Sequence, residues 1–178
     1  MSVLEQSLPT GTWQADPVHS TASFRVKHFG VSTFRASFGE ISASYGADGL
    51  TGVVPVESIS ITQADFRGHV LAEDFFHAEA HPELRFDSTS LRRAEDGTLE
   101  VDGELTIKGI TKLIAARGTA SEPGDDAFGG VRFAIELSAE LDRRDFGLDW
   151  QAELPGGKLA LDYPVTLEIV LELVRHEA

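Results

Sequence analysis

Two ten-residue stretches constrain the architecture more than anything else in the chain. In RFAIELSAEL, Phe133, Ile135, Leu137, Ala139 and Leu141 occupy every second position. In VTLEIVLELV, Val165, Leu167, Ile169, Leu171 and Leu173 do the same. Successive side chains of a strand point to opposite faces, so this period gives one apolar and one mostly polar face, whereas a helix would scatter it. Both stretches therefore read as half-buried antiparallel strands. A third, HSTASFRVKHF, puts Ala22, Phe24, Val26 and His28 on one face and Ser23, Arg25 and Lys27 on the other. From these three patterns Phe24, Val26, Phe133, Ile135, Leu167 and Ile169 are expected to point into one interior; a one-residue slip would reverse them all. The third pattern also ends an otherwise apolar face in a histidine, which calls for an explanation.

Similar segments recur along the chain, at about 18–29, 33–45, 50–62, 84–93, 98–107, 110–120, 131–142 and 161–174. Asp48-Gly49 and Asp96-Gly97 are type I′ hairpin signals between them, Lys108-Gly109 turns another corner, and EPGDDAFGG reads as a longer loop. Sheet edges must be managed, and about eight antiparallel strands closed into a barrel remove them, leaving an interior wide enough for side chains or one small ligand. One segment breaks the rhythm. VLAEDFFHAEAHPEL is rich in helix formers and stops at Pro82, so a short helix is expected from about Leu71 to Ala80, laying Phe75 and Phe76 over one barrel end. No repeat or linker divides the chain, and the expected organisation is a tail over 1–11 and one barrel domain over 12–178.

The 178 residues suffice to bury a core without staples. Zero cysteines exclude disulfides, thiolate metal sites and a cysteine nucleophile. A net charge of −14 would repel a polyphosphate backbone, so nucleic acid is a poor partner. No apolar run approaches the roughly 18 residues of a membrane span. MSVLEQSLPTGTW carries neither a basic n-region nor an apolar h-region, and the expectation is a cytoplasmic protein, periplasmic or secreted if a leader was removed.

Catalytic signatures are scarce. His77 and His81 are four apart, but HAEAH is not H-E-x-x-H, a deaminase site would need cysteines, and Pro82 disturbs the helix at His81, so the histidines are read as solvated and no metal is expected. There is no G-x-S-x-G elbow. Gly156-Gly157-Lys158 lacks the first glycine and the Ser or Thr of a phosphate loop, and reads as a turn. Glu95-Asp96 and Asp125-Asp126 read as solvated loop charge. What remains is polar punctuation of apolar faces at His19 and His28. Either each imidazole satisfies a buried backbone group, or the two belong to an apolar cavity whose few polar groups orient a ligand head. Eleven phenylalanines and two tryptophans supply rigid apolar wall.

TWQADPVHSTASFRVKHFGVSTFRASFGEI, EDFFHAEAHPELRFDSTSL, VDGELTIKGITK and DRRDFGLDW, taken in that order, strongly resemble the YceI family, lipocalin-like bacterial proteins associated with polyisoprenoid binding. The resemblance runs from about Thr12 to the C-terminus, with Trp13, Asp16, His19, Asp74-Phe75-Phe76, Pro82 and Arg144 among its landmarks. It implies an all-β fold, an extended eight-stranded antiparallel lipocalin-like β-barrel with a short helical excursion, often dimeric. The implied ligand is a long isoprenoid, a polyprenyl pyrophosphate or a quinone tail, with no other cofactor. The family commonly reads Arg-Asp-x-His-Leu where this chain has Arg67-Gly68-His69-Val70-Leu71, so one acid is absent and the spacing changes. The expected ligand-binding set takes Phe24, Val26, His28, Phe29 and Phe133 from the strand faces. To these it adds Arg67, His69, Phe75 and Phe76 from the excursion, and Trp13, His19, Arg144 and Phe146 from family positions. The reading is a non-catalytic carrier or store of an isoprenoid-like lipid, with a homodimer as its candidate assembly. Its alternatives are an enzyme using His19 or His28 as general base on a bound prenyl lipid, and a stress-response interaction protein whose barrel is filled by its own side chains.

Overall fold

The computed structural model describes residues 7–177. Its strands are β1 (Thr12–Ala15), β2 (Thr21–His28), β3 (Ser32–Phe38), β4 (Ser42–Gly46) and β5 (Gly49–Pro55), then, after an excursion, β6 (Glu83–Arg93), β7 (Leu99–Ile107) and β8 (Ile110–Ala120). The two-residue β9 (Gly124–Asp125), β10 (Val131–Asp142) and β11 (Leu161–His176) complete them. The one α-helix among the described residues, α1 (Ala64–Leu71), lies in the excursion between β5 and β6, and no described helix is long and apolar enough to cross a membrane.

Antiparallel pairing runs from β11 through β1, β4, β5, β6, β7 and β8 to β10, and β10 pairs back onto β11, closing an eight-stranded barrel. The alternation of the sequence is the inward face. Phe133, Ile135, Leu137 and Ala139 are buried, as are Val165, Leu171 and Leu173. Phe24, Leu167 and Ile169 pack on the same cluster from partly exposed positions, and the register sets Leu167 beside Phe24 and Val165 beside Val26.

Three of the expected strands differ in extent, one of them being split. The segment expected at 18–29 is regular only from Thr21, because residues 16–20 form a turn between β1 and β2. There the buried Ser20 takes over a ladder position: its Oγ accepts the amide of Glu172 on β11 at 3.1 Å. The segment expected at 33–45 breaks between β3 and β4 around Gly39–Ile41. As a result β3 pairs only with β2, and its other edge meets the excursion through a single Phe38–Ile59 bridge, made by the backbone bonds Gly39 N–H to Ser58 O and Ser60 N–H to Ser37 O. The run expected at 50–62 ends as a strand at Pro55 for the same reason.

The helix lies earlier than the sequence suggests. Gln63 caps α1 by accepting the amide of Phe66 at 2.5 Å, and the helix ends at Leu71 rather than beginning there. Residues 72–80 are wound in tight turns, with His77 at φ +50°. Packing overrides propensity here: Phe76 meets Phe38 in the core while Phe75 meets His69 and Trp150. The turns also differ from expectation in part. Lys108 and Gly109 both have positive φ, as a two-residue type I′ hairpin requires. At Asp48-Gly49 and Asp96-Gly97 only the glycine does. Gly46 pairs with Gly49, so that turn centres on Ala47-Asp48, and Gly97 N–H bonds Ala94 O, which centres the other on Glu95-Asp96.

Barrel closure leaves no room at Gly118, which pairs with Leu99 on one side and Leu137 on the other. A β-carbon there would lie 1.7 Å from the Glu136 carbonyl oxygen. Gly118→Ala is therefore expected to force β8 from β10 and cost about 2–3 kcal/mol. Denaturant unfolding measures it, and a loss below about 0.5 kcal/mol would contradict this account of the closure.

Candidate functional site

The two barrel ends are built differently. At the end where β1, β4 and the C-terminal part of β11 meet, Trp13, Leu99, Val101, Ile135 and Leu173 are fully buried. Phe133 meets Trp13 edge-on at 4.7 Å, Tyr45 packs on Phe133, and the Arg175 guanidinium covers the Trp13 ring at 4.8 Å. The Trp13 indole N–H donates to Thr10 O at 3.0 Å. This end is a solid plug.

The opposite end holds a cavity of about 580 Å³. Its walls come from the inward face of β2 (Phe24, Val26, His28), from Phe34 and Phe38 on β3, and from Leu161, Val165 and Leu167 on β11. Phe66, His69 and Val70 of α1, with Phe75 and Phe76 of the following turns, close the side left by the unpaired edge of β3. Phe29, Leu148, Trp150 and Ala160 stand around the mouth, where the amide of Phe29 is tied to Ala160 O at 2.8 Å. Exposed apolar side chains continue outward at Phe29, Val31, Phe66 and Leu159.

The lining is apolar except at a few points. His69 lies edge-on to Phe75 and Trp150 at 5.0 and 5.5 Å between ring centres, and His28 stacks on Phe29 at 3.8 Å. Neither imidazole hydrogen-bonds to another described residue, which removes the reading of His28 as a satisfied core group. Arg143 is the cavity's lining cation and is 3% exposed. It donates to three carbonyls, from Nε to Asp162 O (2.9 Å), from Nη1 to Leu148 O (2.6 Å) and from Nη2 to Leu161 O (2.9 Å). Burial pulls its pKa down from the ordinary arginine value.

Of the residues expected from sequence, Phe24, Val26, His28, Phe29, His69, Phe75 and Phe76 are brought together on the cavity. Six stand outside its lining, and each has another setting. Trp13 and Phe133 belong to the plug. Arg67 on α1 bonds the carbonyl of Glu57. Arg144 points outward to Asp142, with Nη2 to Oδ2 at 2.6 Å, lies over Tyr163, and holds the Asp142 carboxyl down at about 2. Phe146 packs in a separate cluster with Leu105, Ile107 and Leu148. His19 faces solvent beside Asp16.

Several lining residues escaped the sequence reading. Phe34 and Phe38 alternate in STFRASF and were legible by period. Arg143 continues the odd-numbered inward face of β10 while Arg144 does not, so parity would have chosen between them. Trp150 lies in an irregular loop where no periodic signal exists. His77 and His81 sit in turns, their rings 5.6 Å apart.

A polar latch lies outside the barrel near the β1–β2 break. Arg132 donates from Nη1 to Asp16 Oδ2 (2.7 Å) and Glu172 Oε1 (2.9 Å), and from Nε to Asp126 Oδ2 (2.8 Å). His19 Nδ1 donates to Asp16 Oδ2 at 2.9 Å. Asp16, His19 and Glu172 form the one ion-sized grouping of such ligands among the described residues, but the Arg132 guanidinium already supplies the positive charge that both carboxylates need.

The family profile described as a YceI-like domain matches residues 13–173. The chain belongs to the YceI-like family. It is 29% identical over 137 residues to a UPF0312 protein of Pseudomonas aeruginosa, covering 73% of this chain and 71% of that one. A UPF0312 protein of Photorhabdus laumondii is 27% identical over 161 residues, covering 86% and 82%. The crystal structure of Burkholderia cenocepacia BcnA superposes with a TM-score of 0.72 at 20% identity, over 91% of this chain and 99% of that one. A polyisoprenoid binding domain from Saccharophagus degradans superposes at 0.63 with 10% identity, over 94% and 100%. Identities this low carry the fold alone.

The latch of this YceI-like barrel sets a pH dependence. Hydrogen bonds from His19 and Arg132 hold the Asp16 carboxyl far below the ordinary carboxylate range, and the Asp16 hydrogen bond raises His19. A depressed carboxylate contributes stability above its unfolded value, about 3.9, and loses it as pH falls through the folded value. A raised imidazole contributes fully below its unfolded value of about 6.5 and loses it as pH rises through the folded value. Thermal melts of the wild type are thus expected to show a gain between these limits, and His19→Gln to flatten the alkaline limb while weakening the acid limb only in part, since Arg132 still holds Asp16. An unchanged alkaline limb in that variant would refute the coupling.

Proposed function

We propose that this YceI-like barrel binds an isoprenoid lipid, tail down and head at the mouth, as a carrier or store rather than a catalyst. The observation that carries the reading is an apolar cavity open at one end, with two imidazoles at its polar points, His28 and His69, that make no hydrogen bond to other described residues. The pattern of apolar walls and a few polar groups free to accept or donate is that of a small-molecule site. The Saccharophagus degradans neighbour, a polyisoprenoid binding domain, supports the class of tail.

The mouth favours an uncharged, carbonyl-bearing head of the quinone type over a diphosphate. A diphosphate would bring several negative charges to a chain of net charge −14, where the lining cation Arg143 already donates to three carbonyls. A flat ring instead finds aromatic surfaces at Phe29, Phe75 and Trp150, with imidazole N–H groups to meet its carbonyl oxygens. Burial of the tail supplies the affinity, about 0.8 kcal/mol per CH₂ before ordering costs. The Asp16–His19 pair resembles a base with its orienting carboxylate, but it does not line the cavity, so the residues that could act as a catalytic dyad and the bound lipid are kept apart.

Mass spectrometry of lipid extracted from protein purified without detergent is expected to return an isoprenoid. In titrations, replacing both imidazoles (His28→Phe with His69→Phe) should weaken a prenylated benzoquinone about tenfold, two hydrogen bonds of about 0.5–1.5 kcal/mol each being lost in part to water. Binding of the matching prenyl hydrocarbon should stay level, and so should thermal stability, since no protein hydrogen bond is removed. Equal weakening of both ligands would refute a head held by the imidazoles.

A further inference from the structure

The cavity does not run the length of the barrel. Beneath it lies a second, smaller void of about 120 Å³, walled by short side chains including Ala22, Ala43, Ala116 and Ala139. The two share a collar of four residues, Phe38, Leu84, Ile107 and Leu167. Each is held by its neighbours. Phe38 is buried and touches aromatic rings on both sides, Phe24 at 6.0 Å and Phe76 at 6.2 Å. Ile107 is packed into the cluster of Leu105, Phe146 and Leu148, and Leu167 is held in register between Ala139 of β10 and Phe24 of β2. Leu84, at the start of β6 and in register with Val54 of β5, is half-buried, as Leu167 is.

Volume sets what each compartment takes. An apolar cavity of about 150 Å³ accommodates one benzene, or roughly 25 Å³ per carbon. At that density the upper cavity of about 580 Å³ holds roughly 23 heavy atoms, of which a benzoquinone head against Phe29, Phe75 and Trp150 takes about eight, leaving room for roughly 15 tail carbons, three five-carbon units. The lower void of about 120 Å³ holds roughly five carbons, one more unit.

We propose that this collar is a chain-length stop: beneath its head the upper cavity takes a prenyl tail of about three units, and Phe38, Leu84, Ile107 and Leu167 bar it from the void below. The proposal rests on the isoprenoid reading above. The plug at Trp13 and Phe133 lies beyond the void and plays no part in setting the length. Longer tails push the head and their remaining units out past the mouth, among the exposed apolar side chains of Phe29, Val31, Phe66 and Leu159.

The test is calorimetric titration with a series of prenylated benzoquinones whose tails run from much shorter than the cavity to about twice its length. Affinity is expected to rise about tenfold or more per added unit, since burying even two carbons gives that factor, and to level off at about the third unit. Leu84→Ala should move the break by about one unit, because it joins the lower void to the cavity. Ala116→Val, which fills the lower void, should leave the wild-type break in place and cancel the shift when combined with Leu84→Ala. Leu84→Val opens the collar by less and provides the same comparison if the alanine variant folds poorly. An unmoved break in both Leu84 variants, or a wild-type break shortened by Ala116→Val, overturns the collar while leaving isoprenoid binding intact. Absence of saturable binding across the whole series overturns the isoprenoid reading and the collar with it.

Discussion

The structure depends on one strand that satisfies three partners. β11 is sixteen residues long, and β10 pairs with it from Pro164 to Val174. Its other edge is divided, with β2 against its first part and β1 against its last. A barrel closed by such a strand must interrupt the partner that changes, and the interruption falls at residues 16–20. Ser20 shows how the interruption is tolerated: a hydroxyl oxygen replaces the backbone acceptor that Glu172 N–H would otherwise lack, so no ladder donor is orphaned.

Everything particular to the cavity follows from that break and its counterpart between β3 and β4. Past the breaks, β2 and β3 leave the ring that β1 and β4 close, and β3 is left with an edge no strand covers. An open edge of this kind invites pairing with another chain. The excursion from Val56 to Pro82 covers it instead, through the Phe38–Ile59 bridge and its backbone bonds at Ser58 and Ser60. Because the cover is a helix and turns rather than a strand, it cannot approach the sheet as closely as a paired neighbour. The space left between is where Phe66, His69, Phe75 and Phe76 form the wall. The cavity is thus a consequence of strand economy in β11, and its aromatic lining belongs to the segment that repairs the edge.

The parts of this arrangement that were legible in the sequence are those controlled by local period. Period-2 runs placed β10 and β11 to within two residues and put Phe24, Val26 and His28 on the cavity face. The helix was misplaced because Glu, Ala and Leu propensities in 71–80 are weak beside the need to aim two adjacent phenylalanines at different neighbours, Phe75 at Trp150 and Phe76 at Phe38. Period-2 alternation puts Phe133 on the ligand wall, since an inward-facing aromatic looks alike at either end of a barrel, and the family resemblance adds Trp13 to it. Only the closure, which sets Trp13 opposite both Tyr45 and Arg175, reveals that this end is plugged. Arg143 and Arg144 differ by one residue and by a full reversal of face, and the family pattern pointed to the outward one.

The difference between the two ends also bears on how the protein is held together. Around the plug, side chains reach full burial, and their dispersion contacts are complete. Around the cavity, Phe24, Phe34, Phe76, Leu84 and Leu167 are only partly buried, and each forgoes contacts on the side that faces the space. A chain that filled this volume with its own side chains would gain those contacts and lose the site. An apolar ligand restores them from outside, so binding and folding share one set of walls. A ligand that binds only the folded state then stabilises it by about 4 kcal/mol when its concentration exceeds Kd a thousandfold. The end that holds the fold without help is the plugged one, and it is also where the Arg132 latch ties β10 and β11 to the β1–β2 break. Stability is thereby concentrated away from the mouth, and the walls around the cavity are the less completely packed part of the barrel.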